Sequence, residues 1–252
     1  MISCSTMKQW ANHLINNPYN KKIVKYENQD YMAQLAFLSG EYINSPGIQT
    51  IRISGRSRHY LTSIYHRIVE HSELILEYNL SPKFYIIKNK TPFYFSLPGS
   101  QFFLSSSLVK KFLKNEHLLV AALSHEIVKS QRNIYLKKAV VPIGFLSTEK
   151  MLSLTRLPLK IKMEVNKWTY YVLGRAGYDS SAYLNWLQTQ NKNTLDFMFQ
   201  LGSSKQISKE EFLFKNFVVK QGIVEKMNRS RQPSNSSKSF YHFVNEVGRI
   251  GS

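Results

Sequence analysis

The chain has 252 residues, 43% of them apolar and 13% aromatic. That is enough for one domain burying roughly 70–75% of its unfolded surface, which excludes disorder over most of its length. Residues 139–148, the longest uncharged apolar stretch, span half of the ~20 residues a helical membrane crossing needs. The single cysteine, Cys4, excludes an internal disulfide and a cysteine zinc cluster, and 34 Lys+Arg against 16 Asp+Glu give a net charge of +18.

Residues 1–25 read as an N-terminal tail, with a short helix and a loop in its Asn-rich part, and 26–247 as a single domain. Apolar residues at helical spacing over 30–38 predict a helix, ended by turn chemistry at Ser45-Pro46-Gly47. Residues 57–77 predict an amphipathic helix with Leu61, Ile64, Tyr65, Ile68, Val69 and Leu74 on one side. Strands are expected at 84–87 and 93–96 around a turn at 89–92, then at 101–104 after Pro98-Gly99. A short helix over 107–113 precedes Asn115, which fits the N-cap of a strongly apolar helix from Glu116 to about Arg132. The apolar run 139–159 is broken by Pro142, Gly144 and Pro158. Helices follow over 161–175 and 180–190. Ser208-Lys209-Glu210-Glu211 fits a capping box opening a helix to about Met227, and a polar loop over 229–239 leads to a last helix over 240–247.

One stretch is distinctive. Residues 95–109 (FSLPGSQFFLSSSLV), then Asn115-Glu116 and residues 119–127 (LVAALSHEI), resemble the zinc metallopeptidases of the HtpX, BepA, LoiP and CAAX-prenyl-endopeptidase type. Those proteins share a strand, a Pro-Gly turn, an edge strand, a short helix and an active-site helix bearing H-E-x-x-H. Ala176-Gly177-Tyr178-Asp179 is similar to the end of the family's second metal helix, and 230–238 to its late His-Pro loop. The resemblance implies an α+β, mainly helical, zincin-like fold with a small sheet beside the active-site helix.

The departures carry the chemistry. In H-E-x-x-H, two histidines one turn apart hold zinc while the glutamate activates water. Here the sequence is His125-Glu126-Ile127-Val128-Lys129, so His125 is a remnant ligand, Glu126 a remnant general base, and the second ligand has become a lysine. Counted back from Gly177, the family's glutamate ligand falls on Lys162 and its aspartate on Asn166, while the late histidine falls on Gln232. Making one lysine neutral at pH 7 costs about 4.6 kcal/mol. Left charged ~4 Å from a zinc ion, each repels it by about 8 kcal/mol at an effective dielectric of about 20. Two such terms reach about 16 kcal/mol, as much as the roughly 10–16 kcal/mol that complete structural zinc sites supply, and one histidine with a nearby carboxylate cannot offset that. No cofactor is therefore expected. Helical spacing puts Lys129 on the face of His125 and Glu126, so Lys129 and Lys162 are expected to fill the metal's place and pair with Glu126 or Glu164.

The expectation is a noncatalytic, metallopeptidase-like scaffold or protein-binding module, with a peptide laid along a strand edge at Gln101, Phe102, Phe103 and Leu104. The alternatives are an active zinc metalloendopeptidase with an atypical ligand set, including one built on His125, Glu164 and another histidine, and a basic module on an anionic surface. Ile2-Ser3-Cys4-Ser5 resembles the end of a bacterial lipobox, against the plainer reading of a stray terminal cysteine. The first makes Cys4 a lipid anchor on the periplasmic side of the envelope, and a true start at Met1 implies the cytoplasm. The aromatic and lysine residues of 83–95 read as sheet core with snorkelling lysines, so nucleic acid is not the expected partner. Residues 140–152 are expected to be buried in the domain, with contact to a membrane surface or a partner as the alternative.

Overall fold

In the computed structural model, residues 28–71, 81–136, 144–225 and 236–250 are described. The architecture is α+β and mainly helical, with one four-stranded mixed sheet. Helix α1 (Asn28–Ile43) leads to strand β1 (Thr50–Ile51) and helix α2 (Gly55–Glu70). Strands β2 (Lys83–Ile87), β3 (Tyr94–Leu97) and β4 (Gln101–Ser105) follow, then helices α3 (Ser106–Lys111) and α4 (Glu116–Gln131). The second half is helical: α5 (Thr148–Thr155), α6 (Leu159–Arg175), α7 (Ser181–Lys192), α8 (Thr194–Leu201), α9 (Ser204–Glu225) and α10 (Lys238–Ile250).

The strand order is β1-β2-β4-β3. Strand β2 runs parallel to β4, with Phe84 opposite Phe102, while β3 runs antiparallel to β4, with Phe95 opposite Phe103. Strands β2 and β3, which the sequence placed around one turn, are therefore not neighbours. Strand β4 is central rather than the free edge expected at Gln101, Phe102, Phe103 and Leu104. The physical reason lies in its composition. All five of its residues are buried, with Phe102 in the core on one face and Phe103 in that on the other, the pattern of a strand covered on both sides. Phe103 lies between the rings of Tyr85 and Phe95, at centroid distances of 4.7 and 4.6 Å, which fixes the register across three strands.

One face of the sheet packs on α1 and α5 through Ile87, Phe93, Phe95, Leu97 and Phe103. The other meets the main helical body through Ile86, Tyr94, Phe102 and Leu104. Helix α4 is the central member of that body. Asn115 Oδ1 caps it by accepting from the Leu118 amide at 3.0 Å, as the sequence predicts. Every residue from Leu118 to Ser130 is buried, so its polar residues must find partners inside the protein.

Two segments start differently from the sequence expectation. Helix α8 falls where no helix was expected, and α9 opens at Ser204 rather than near Ser208. Gln206 Oε1 reaches back to accept from the Ser203 amide at 3.0 Å, so Ser203 and Gln206 form the cap and displace the competing box five residues on. Between α8 and α9 only glycine fits. Gly202 has φ of 103°, and an added Cβ would lie 2.1 Å from Gln206 Oε1.

Candidate functional site

The hollow between α4, α6, α8 and β3 is defined by two buried lysines and the carboxylates they meet. On α4, Glu126 is 3% exposed and Lys129 is 3% exposed. Lys129 Nζ donates to Glu126 Oε2 at 2.9 Å, as the i, i+3 spacing requires. Ser96 Oγ on β3 donates to the same oxygen at 2.7 Å and is itself 3.1 Å from the Tyr135 hydroxyl. The Lys129 ammonium also lies 5.5 Å from the centre of the Tyr135 ring. His125 Nδ1 is 3.1 Å from Glu126 Oε1. Burial alone would push the Glu126 carboxyl up. The adjacent Lys129 charge, with the His125 hydrogen bond, outweighs that and holds it well below the usual carboxylate range. Glu126 is thus an ionised acceptor with three donors, so the His125 proton sits on Nδ1. Nε2 of the same ring is buried and has no hydrogen-bond partner among the described residues.

Lys162 enters from α6, on the helix that packs against α4. Its Nζ is 2.5 Å from Glu210 Oε2 on α9. Glu210 Oε1 accepts from Asn166 Nδ2 at 2.9 Å, and Asn166 Oδ1 accepts from the Tyr183 hydroxyl at 2.6 Å. The Tyr183 ring lies parallel to that of His125 at 5.9 Å, joining the two networks. The expectation for Lys162 needs correcting on its partner: it pairs with Glu210, not with Glu126 or Glu164. Glu164 is turned outward, where it meets Lys167 at 2.8 Å with 61% of its side chain exposed.

His125, Glu126, Lys129 and Lys162 line one cavity of about 30 Å³ together with Arg156 and Gln200. That is space on the scale of a water molecule or two, not of a peptide residue. Zinc needs three or four electron-pair donors. His125 Nε2 offers one, Glu126 is already committed to three hydrogen bonds, and Lys129 and Lys162, which have no electron pair to give as ammonium groups, line the same cavity. Among the described residues no group of three or more His, Cys, Asp or Glu is arranged to hold a metal ion, which also leaves the set of His125, Glu164 and a further histidine without support. The residues present do not fit a zinc centre.

The free edge of the sheet beside this hollow is β3. Its outward polar groups at Tyr94 are taken up by one side chain of α8. The Tyr94 amide donates to Gln200 Oε1 at 3.1 Å, and Gln200 Nε2 donates to the Tyr94 carbonyl. A side-chain amide thereby makes the pair of bonds that a neighbouring strand would make. All four residues of β3 are buried.

Sequence reasoning missed Ser96, Tyr135, Tyr183, Gln200 and Glu210. Only Glu210 carried a signal: it stands with Ile207 and Phe214 on one helical face, all three buried, and a lone carboxylate on an apolar face demands a cation. Gln232 and Cys4 lie outside the described residues. No protein-family model matches the chain, and no curated protein matches it.

Proposed function

We propose that this chain is a noncatalytic, zincin-like domain of the metallopeptidase type it resembles, serving as a scaffold or protein-binding module of the bacterial envelope. The observation that carries the reading is the Lys129 ammonium 2.9 Å from the Glu126 carboxylate. A general base must hold a water and accept its proton. Glu126 instead accepts from a lysine, a serine and a histidine and is held far too acidic for that work. The positive charge that zinc would supply comes from the chain itself. The small sheet beside a buried H-E helix, and the facing helix bringing Lys162 and Asn166 to the same region, agree with the zincin-like arrangement the resemblance implies.

With Gln200 on the edge of β3, partner proteins dock outside the ancestral cleft rather than along it. The test is metal content and proteolysis. After incubation with zinc and gel filtration, the protein retains less than about 0.1 equivalent and shows no chelator-sensitive digestion of casein. The double substitution Lys129→His with Lys162→Glu restores donors at both places and raises retained zinc toward one equivalent. Stoichiometric zinc in the unsubstituted protein, with cleavage that chelator abolishes, refutes the proposal.

A further inference from the structure

Helix α8 has an inner and an outer face of unusual character. The inner face buries Phe197 and Gln200. The outer face carries Leu195, Met198 and Phe199, at i, i+3 and i+4, which are 83%, 39% and 59% exposed. A surface helix normally turns polar residues outward, so three neighbouring apolar side chains on eight residues mark a contact surface. Helix α5 packs on α8, and Phe145, just ahead of α5, is 82% exposed.

Basic residues flank these apolar ones. Lys192 lies just before α8, Lys205 just after it, and Lys150 on α5; all are exposed. The exposed Arg156 guanidinium binds the carbonyls of Gln200 and Phe199 at the C-terminal end of α8, where the helix dipole favours a cation. Against these four cations stand the exposed carboxylates of Glu149 and Asp196. The local excess has the same sign as the net +18 of the whole chain.

We propose that this face, Leu195, Met198 and Phe199 with Phe145, docks on an anionic phospholipid bilayer. The apolar side chains enter the region just below the head groups, and Lys150, Arg156, Lys192 and Lys205 stay at the level of the phosphates. Each basic residue close to an anionic surface strengthens attachment about fivefold, so the flanking cations favour lipid over a neutral protein surface. The test uses the full chain and sedimentation with vesicles of phosphatidylcholine, alone or with about 30% phosphatidylglycerol. The anionic vesicles bind the protein, neutral ones bind it far more weakly, and salt reduces the attachment. The double substitution Leu195→Ser with Phe199→Ser lowers partitioning about tenfold or more while the circular dichroism spectrum and unfolding midpoint stay unchanged. No sedimentation with anionic vesicles, or equal sedimentation of the substituted protein, overturns the proposal. So does a concentration-dependent dimer that the same substitutions dissolve, since a second copy of the chain then covers this face.

Discussion

Substituting Lys129 by Met removes the ammonium but keeps most of the side chain's bulk, which isolates the charge. In the parent, the pair is separated by 2.9 Å with 4% of each side chain exposed. At an effective dielectric of about 20 the attraction is about 6 kcal/mol, set against the several kcal/mol needed to bury each ion. Taking away one partner leaves Glu126 with the Ser96 and His125 hydrogen bonds but no cation of its own, a loss of about 3–5 kcal/mol. For a chain of this size that lowers the thermal midpoint by roughly 10 °C. The double substitution Glu126→Gln with Lys129→Met removes both charges and recovers most of the loss. The pH dependence separates this from a packing defect. In the parent, the depressed Glu126 carboxyl contributes stability that is present above the ordinary range near pH 4.3 and is lost only as pH falls through the lower folded value. In Lys129→Met burial prevails and the folded carboxyl rises above its unfolded value, so the folded state binds more protons and stability increases as pH falls from 7 toward 5. Urea unfolding followed by circular dichroism between pH 5 and 8 reads both effects. A loss under about 0.5 kcal/mol at pH 7, or a pH slope like the parent's, refutes the buried pair.

Two further substitutions test neighbouring parts of the same region. Glu210→Gln leaves Lys162 without its carboxylate, but that lysine keeps 12% of its side chain exposed and reaches water, so the loss is about 1–2 kcal/mol by the same urea titration, well below that of Lys129→Met. Gln200→Leu fills similar space but leaves the Tyr94 amide and carbonyl unpaired at a buried edge, costing about 2–4 kcal/mol. Hydrogen exchange at the Tyr94 amide then quickens by more than tenfold; an unchanged rate would mean that Gln200 does not hold the strand.

The sequence made α4 readable because its signals are local. Asn115 caps it, the apolar residues leave no polar face, and one helical turn separates His125 from Lys129. Lys129 meeting Glu126 followed from that turn alone. The partner of Lys162 was out of reach because it depends on the phase of α9, and two serine caps five residues apart, Ser203 and Ser208, compete for that start. The order of the strands was hidden for a related reason. Parallel pairing of β2 with β4 joins segments that are not consecutive, so the apparent hairpin of 84–87 with 93–96 looked locally complete. Gln200 gave no warning, because its work is to imitate backbone, and nothing in a glutamine flanked by Phe199 and Leu201 announces that it faces a strand.

The same glutamine bears on how the molecule behaves in a crowded solution. A sheet whose rim is bare recruits rims of other copies, and chains then add one to another. Here one rim strand, β1, has only two residues, and the opposite rim is stoppered at Tyr94 by an amide that belongs to the chain itself. Among the described residues the Gln200 amide thus shortens the backbone that β3 offers for polymerisation, and β1 adds only two residues at the other rim.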